Sequence, residues 1–117
     1  MDVTIYHNPK CSTSRNVLDF IRKAGHEPKI VEYLKTPLSR EDLKNLVAEM
    51  GAKARDIVRA KEPLFEELGL KDASEKHLIE AMAKHPILVN RPIVVVKKGA
   101  KRTIRLCRPS ETVKEIL

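Results

Sequence analysis

The stretch VTIYHNPKCSTSRNVLDFIRKAG, Val3–Gly25, sets the opening architecture of this chain. Val3–His7 is rich in β-formers and weakly alternating, which predicts a strand. Asn8-Pro9-Lys10 is a turn-like break. Val17, Leu18, Ile21 and Ala24 then recur at helical spacing until Gly25. Pro28–Leu34, with Ile30, Val31 and Tyr33, reads as a second strand. Strand, helix and strand make a βαβ unit, whose crossover is normally right-handed.

Beyond it the pattern turns helical. Ser39 stands three residues before Asp42, an N-terminal capping signal, and Leu43, Leu46, Val47 and Met50 form one face before Gly51. Ala54–Arg59 predicts a short helix, Pro63 opens another that Gly69 closes, and Ser74 precedes one stopped by His85-Pro86. The last third changes again. Ile93-Val94-Val95-Val96 is a continuous apolar run, as in a strand covered on both faces. Lys98-Gly99-Ala100-Lys101 predicts a hairpin turn, Thr103–Leu106 a strand, and Pro109-Ser110 the start of a final helix carrying Val113, Ile116 and Leu117. The order is β-α-β, helices, then β-β-α. Without the central helices that is the thioredoxin or glutaredoxin arrangement: an α/β fold on a mixed four-stranded sheet, with a helical insertion at about 38–86 in a single domain, 1–117.

The 117 residues are 42% hydrophobic and 33% charged, a globular balance. With two Phe, two Tyr and no Trp, the core has to be Leu, Ile and Val. Two cysteines, Cys11 and Cys107, are too few for a disulfide scaffold. No secretory signal is visible, and no apolar run approaches the ~20 residues that cross a bilayer. A cytoplasmic, reduced protein, monomeric and without membrane contact, is the expectation.

The net charge is +7, and Arg91–Arg108 alone holds seven basic residues and no acid. Nucleic acid is a poor match, since this stretch has no aromatic residue for stacking and reads as strands. A small oxyanion is one alternative. A solvated hairpin tip is the other for Lys97, Lys98, Lys101 and Arg102.

Chemistry is expected first at Cys11. Placed between the first strand and the first helix, it meets free N–H groups and the positive end of the helix dipole, which lower a thiol pKa from about 8.5 toward neutrality. Lys10 and Arg15 add positive potential, although Arg15 also has an i,i+4 partner in Asp19. Ser14 occupies the place of the second cysteine in a C-x-x-C pair. A lone thiol cannot close a local disulfide, so it must attack a substrate and be released by an outside thiol. Cys107 reads as a small apolar residue ending a strand. In thioredoxin-like folds the Asn90-Arg91-Pro92 position holds a cis-proline facing the reactive cysteine, which would display Arg91 beside Cys11. Arg91, Arg108 and Arg59 suit a tetrahedral oxyanion, because planar guanidinium groups bind such oxygens bidentately.

Y-H-N-P-x-C-x-x-S-R (Tyr6–Arg15), H-P-I-L-x-N-R-P-I-V (His85–Val94) and L-C-R-P-S-E (Leu106–Glu111) resemble the glutathione/glutaredoxin-dependent arsenate reductases. Tyr33-Leu34, Thr36-Pro37, Glu62-Pro63 and Glu66–Leu70 match as well, so the likeness covers essentially the whole chain. It implies Cys11 as nucleophile, Arg91 and Arg108 as oxyanion-holding arginines, Arg59 as a third, and His7 near the nucleophile; Ser14, Arg15 and Pro92, beside Cys11 and Arg91, are the expected substrate-binding residues. It implies reduction of arsenate to arsenite through a cysteinyl-arsenate, with glutathione as co-substrate, glutaredoxin as partner, and no metal or bound cofactor. Two other readings use the same fold: a glutathione-dependent thiol reductase, and a regulator that binds RNA polymerase. Ser14 removes the C-x-x-C switch of the redox-sensing regulators.

Overall fold

Val3, Ile5 and His7 alternate with Thr4 and Tyr6 along β1 (Asp2–His7), and that trio is the buried one. The computed structural model describes all 117 residues, in two compact units. Met1–Thr36 with Arg91–Leu117 forms a sheet unit, and Pro37–Asn90 forms a helical unit.

In the sheet unit, β1 is followed by α1 (Ser12–Lys23) and β2 (Lys29–Glu32); later come β3 (Ile93–Lys98) and β4 (Lys101–Leu106). The sheet order is β2-β1-β3-β4, with β1 parallel to β2 and antiparallel to β3, and β3 antiparallel to β4. This is the expected mixed four-stranded, thioredoxin-like sheet. Register pairs Val3 with Val96 and Ile5 with Val94. Ile93–Val96 is buried on both faces, as its unbroken apolar run predicts. Val17 and Ile21 of α1 pack on the face that carries Val3, Ile5, Val94 and Val96, joined by Cys107, Val113 and Ile116.

The β3–β4 hairpin closes through Gly99-Ala100, with Gly99 at φ +59, where a glycine meets no Cβ penalty. The predicted last helix is a 3₁₀ segment, Ser110–Glu115. Its bonds run i to i+3: Thr112 N–H to the Pro109 carbonyl and Ile116 N–H to the Val113 carbonyl, both 3.1 Å. Residues three apart eclipse in such a coil, which sends Val113 and Ile116 together into the core.

The helical unit contains α2 (Arg40–Met50), α3 (Ala54–Ile57), α4 (Pro63–Glu67), α5 (Glu75–Lys84) and a 3₁₀ turn, Pro86–Leu88. Ser39 and Asp42 form the predicted capping box, and Ser74 caps α5 by accepting from the His77 N–H. The Glu75 carboxylate accepts from the Ala54 N–H at 2.9 Å, and Arg55 donates to the Lys71 and Ala73 carbonyls at 2.7 Å each, so the start of α3 is held by side chains. A bridge pairs Val58 with Val89, and the Arg59 N–H reaches the Leu88 carbonyl at 2.7 Å. No helix is long and apolar enough to cross a membrane.

Ile21 is fully buried in the sheet unit's core. Replacing it with Ala should cost about 2–5 kcal/mol through lost apolar burial and the cavity left behind. Urea denaturation of the two proteins measures this as a lower midpoint at unchanged slope.

Candidate active site

Asn8-Pro9-Lys10-Cys11 turns the chain from β1 into α1. The Cys11 N–H donates to the Asn8 carbonyl and the Lys10 N–H to Asn8 Oδ1, both at 3.0 Å. Asn before Pro is a sequence signature of this turn, its side chain standing in for a main-chain acceptor. Cys11 is the N-cap of α1 in extended conformation. The sulfur is therefore left at the helix start, with no acid in the first turn.

Three donors face it. Burial alone pushes the thiol up, but the Ser14 N–H and the guanidinium groups of Arg91 and Arg108 pull it down further, from the ordinary 9.0 to about 7. Arg108 Nη1 lies 3.8 Å from Cys11 Sγ and 2.9 Å from the Arg91 carbonyl oxygen, so one guanidinium both meets the sulfur and braces the segment bearing the other arginine. The Arg91–Pro92 peptide is cis, and so is Arg108–Pro109. The Cys107 N–H donates to the Pro92 carbonyl at 2.9 Å, tying the two arginine segments together by main chain.

His7 and Ser14 pack beneath the turn, and Arg15 binds it from α1. The Ser14 side chain is fully buried; its Oγ accepts the Asn8 N–H at 3.1 Å and lies 2.6 Å from His7 Nδ1. Its hydroxyl faces inward, and what it offers the site is its main-chain N–H. Burial first, with Arg15 and Arg22 and against the pull of Glu32, holds His7 below its ordinary 6.5. The His7 ring and the Ser14 hydroxyl share one short hydrogen bond through Nδ1 and Oγ. His7 thus holds Ser14, whose N–H meets the sulfur, from beneath. It does so because alternation puts it on the same sheet face as Ile5, under α1. Arg15 forms no pair with Asp19, which binds Lys23 at 2.8 Å; its Nη1 donates to the Pro9 carbonyl at 2.9 Å.

Cys107 belongs to the core, as expected. Burial pushes its thiol up to about 12, outweighing a hydrogen bond with Thr112. Arg59 lies in the helical unit, where its Nε stands 3.8 Å from the Glu62 carboxylate. The arrangement of Cys11, Arg91 and Arg108 offers an ionised nucleophile facing two planar cations, a setting that can hold an oxyanion while sulfur attacks its central atom.

Residues 6–116 match the ArsC family. An arsenate reductase from Rhizobium meliloti is 54% identical, the match covering 100% of this chain and 82% of that protein. One from Escherichia coli is 51% identical, covering 99% and 81%. Among solved structures, an arsenate reductase from Vibrio cholerae superposes with a TM-score of 0.90 at 45% identity, over 100% of this chain and 98% of that one.

Alkylation by iodoacetamide should label one thiol of the folded protein, with a rate midpoint near pH 7, and should label none in Cys11→Ser. Stability should follow the same ionisation. A folded value of 7 below the ordinary 9.0 adds stability that is complete above pH 9.0 and disappears as pH falls through 7. Relative to Cys11→Ser, the wild type should therefore gain stability over that interval, measured by urea denaturation in reducing buffer.

Proposed function

The chain belongs to the ArsC family, and from that premise we propose that it reduces arsenate to arsenite with Cys11 as the nucleophile. The observation that carries the reading is the Cys11 sulfur at the start of α1, its thiol held down to about 7 and faced by Arg91 and Arg108.

Arsenate carries negative oxygens around a tetrahedral centre, and the two guanidinium groups bind them in pairs and keep their own charge. Arg59 is assigned to the same oxyanion on the family resemblance alone. The first N–H groups of α1 add donors where charge builds as sulfur attacks. The Cys11 thiolate forms an S–As bond and water or hydroxide leaves. A glutathione thiol then replaces a second oxygen on arsenic, releasing another water. A glutaredoxin thiolate attacks the glutathione sulfur, forming a mixed disulfide, and the electron pair of the broken As–S bond stays on arsenic. Arsenic(V) becomes arsenic(III), two sulfurs having supplied the two electrons. Hydrolysis of the Cys11–arsenic(III) bond frees arsenite and restores the thiolate.

The single thiol at position 11, with Ser14 where a second cysteine would stand, supports this dependence on outside thiols. A reducing cytoplasm supplies both donors, and there we place the protein, acting as a monomer and as one domain with the helical unit inserted into the sheet unit. Neither nucleic acid nor membrane has a role in this scheme.

A coupled assay with arsenate, glutathione and glutaredoxin tests the reading. Cys11→Ser should abolish turnover with its fold intact by circular dichroism. Arg91→Ala should lower kcat/KM by about 10²–10³-fold, the usual cost of a lost charge-stabilising donor. Wild-type kcat/KM should climb with pH through a midpoint near 7. Faster turnover of a glutathionylated peptide than of arsenate would instead assign the site to thiol reduction.

A further inference from the structure

In the turn before the nucleophile, one carbonyl is met by a side chain and not by main chain. Within Asn8–Cys11, the Asn8 carbonyl takes the Cys11 N–H and Asn8 Oδ1 takes the Lys10 N–H. The Pro9 carbonyl is met instead by Arg15 Nη1 at 2.9 Å, from the first turn of α1. The Arg15 main-chain N–H meanwhile donates to the Cys11 carbonyl at 3.0 Å. One residue therefore grips the chain at Cys11 and again two residues before it. The main-chain bond would form with any residue in a helix; the side-chain bond requires a donor with this reach.

We propose that Arg15 is a positioning residue for the nucleophile: its guanidinium clamps the Asn8–Cys11 turn to the first turn of α1, so that Cys11 Sγ stays in line with its three donors. Those donors come from three segments: the Ser14 N–H from α1, Arg91 from the chain entering β3, and Arg108 from the chain leaving β4. The Arg15 guanidinium bonds the Pro9 carbonyl and not the sulfur. Its effect passes through the geometry of the turn. This inference rests on Cys11 being the attacking group.

Arg15→Met and Arg15→Lys test it, by ultraviolet thiolate titration of the full chain and by the coupled arsenate assay at pH 7 and at pH 9. In Arg15→Met the thiolate midpoint should rise by about one unit, a tenfold change in the ionisation equilibrium. Turnover should then fall about fivefold at pH 7, following the lost thiolate, and recover at pH 9, where the thiol ionises without help. Arg15→Lys, with a charge but no planar fork, should fall between the two. An unmoved midpoint overturns the proposal, as does an equal loss at both pH values. So does a change confined to a higher KM for glutathione, which would make Arg15 a carboxylate-binding group for the thiol donor. The titration contains no substrate, so failure of the arsenate reading would leave its result standing.

Discussion

A sulfur atom at the start of a helix is held between opposing forces, and the sheet unit is organised around that balance. Partial burial of Cys11 disfavours the thiolate, while the Ser14 N–H and two guanidinium groups favour it more strongly. Removing water from such a site also strengthens each remaining charge contact, so the burial that opposes ionisation makes the donors more effective. A thiol held near neutrality combines a substantial ionised fraction with retained nucleophilic strength, which a more acidic thiol loses.

The donors do not act separately. Arg108 reaches both the sulfur and the Arg91 carbonyl, and the Cys107 N–H holds the Pro92 carbonyl. The entry to β3 and the exit from β4 are neighbours because these strands pair, with Ile93 opposite Leu106. Two arginines seventeen positions apart in sequence thus converge on one side of the turn. Cys107 sits between them facing the core, where burial keeps it protonated. One strand end supplies a packing residue and, at the next position, a site residue.

Ser14 illustrates how one position separates side-chain from main-chain function. Its hydroxyl bonds inward to His7 and Asn8, closing the join between β1 and α1, while its N–H faces the nucleophile. A second thiol there would have given the site a local disulfide partner. A buried hydroxyl gives it rigidity and leaves reduction to outside thiols.

The amino-acid sequence by itself determined what repeats or punctuates locally. The strand through His7, the helix from Ser12, the Ser39 cap, the glycine hairpin and the doubly buried Ile93–Val96 strand all follow from periodicity, capping chemistry and turn residues acting within a few positions. Cys11 was legible for the same reason, as the helix start is itself a local feature. Tertiary structure alone decided which arginine meets the sulfur, since Arg108 and Cys11 are 97 positions apart and only strand pairing brings them together. It also turned Ser14 and His7 inward, made Arg15 bind Pro9 instead of Asp19, and drew the last turns into a 3₁₀ coil. Each of these choices depends on competition for a partner in three dimensions, and spacing along the chain carries no record of which partner wins.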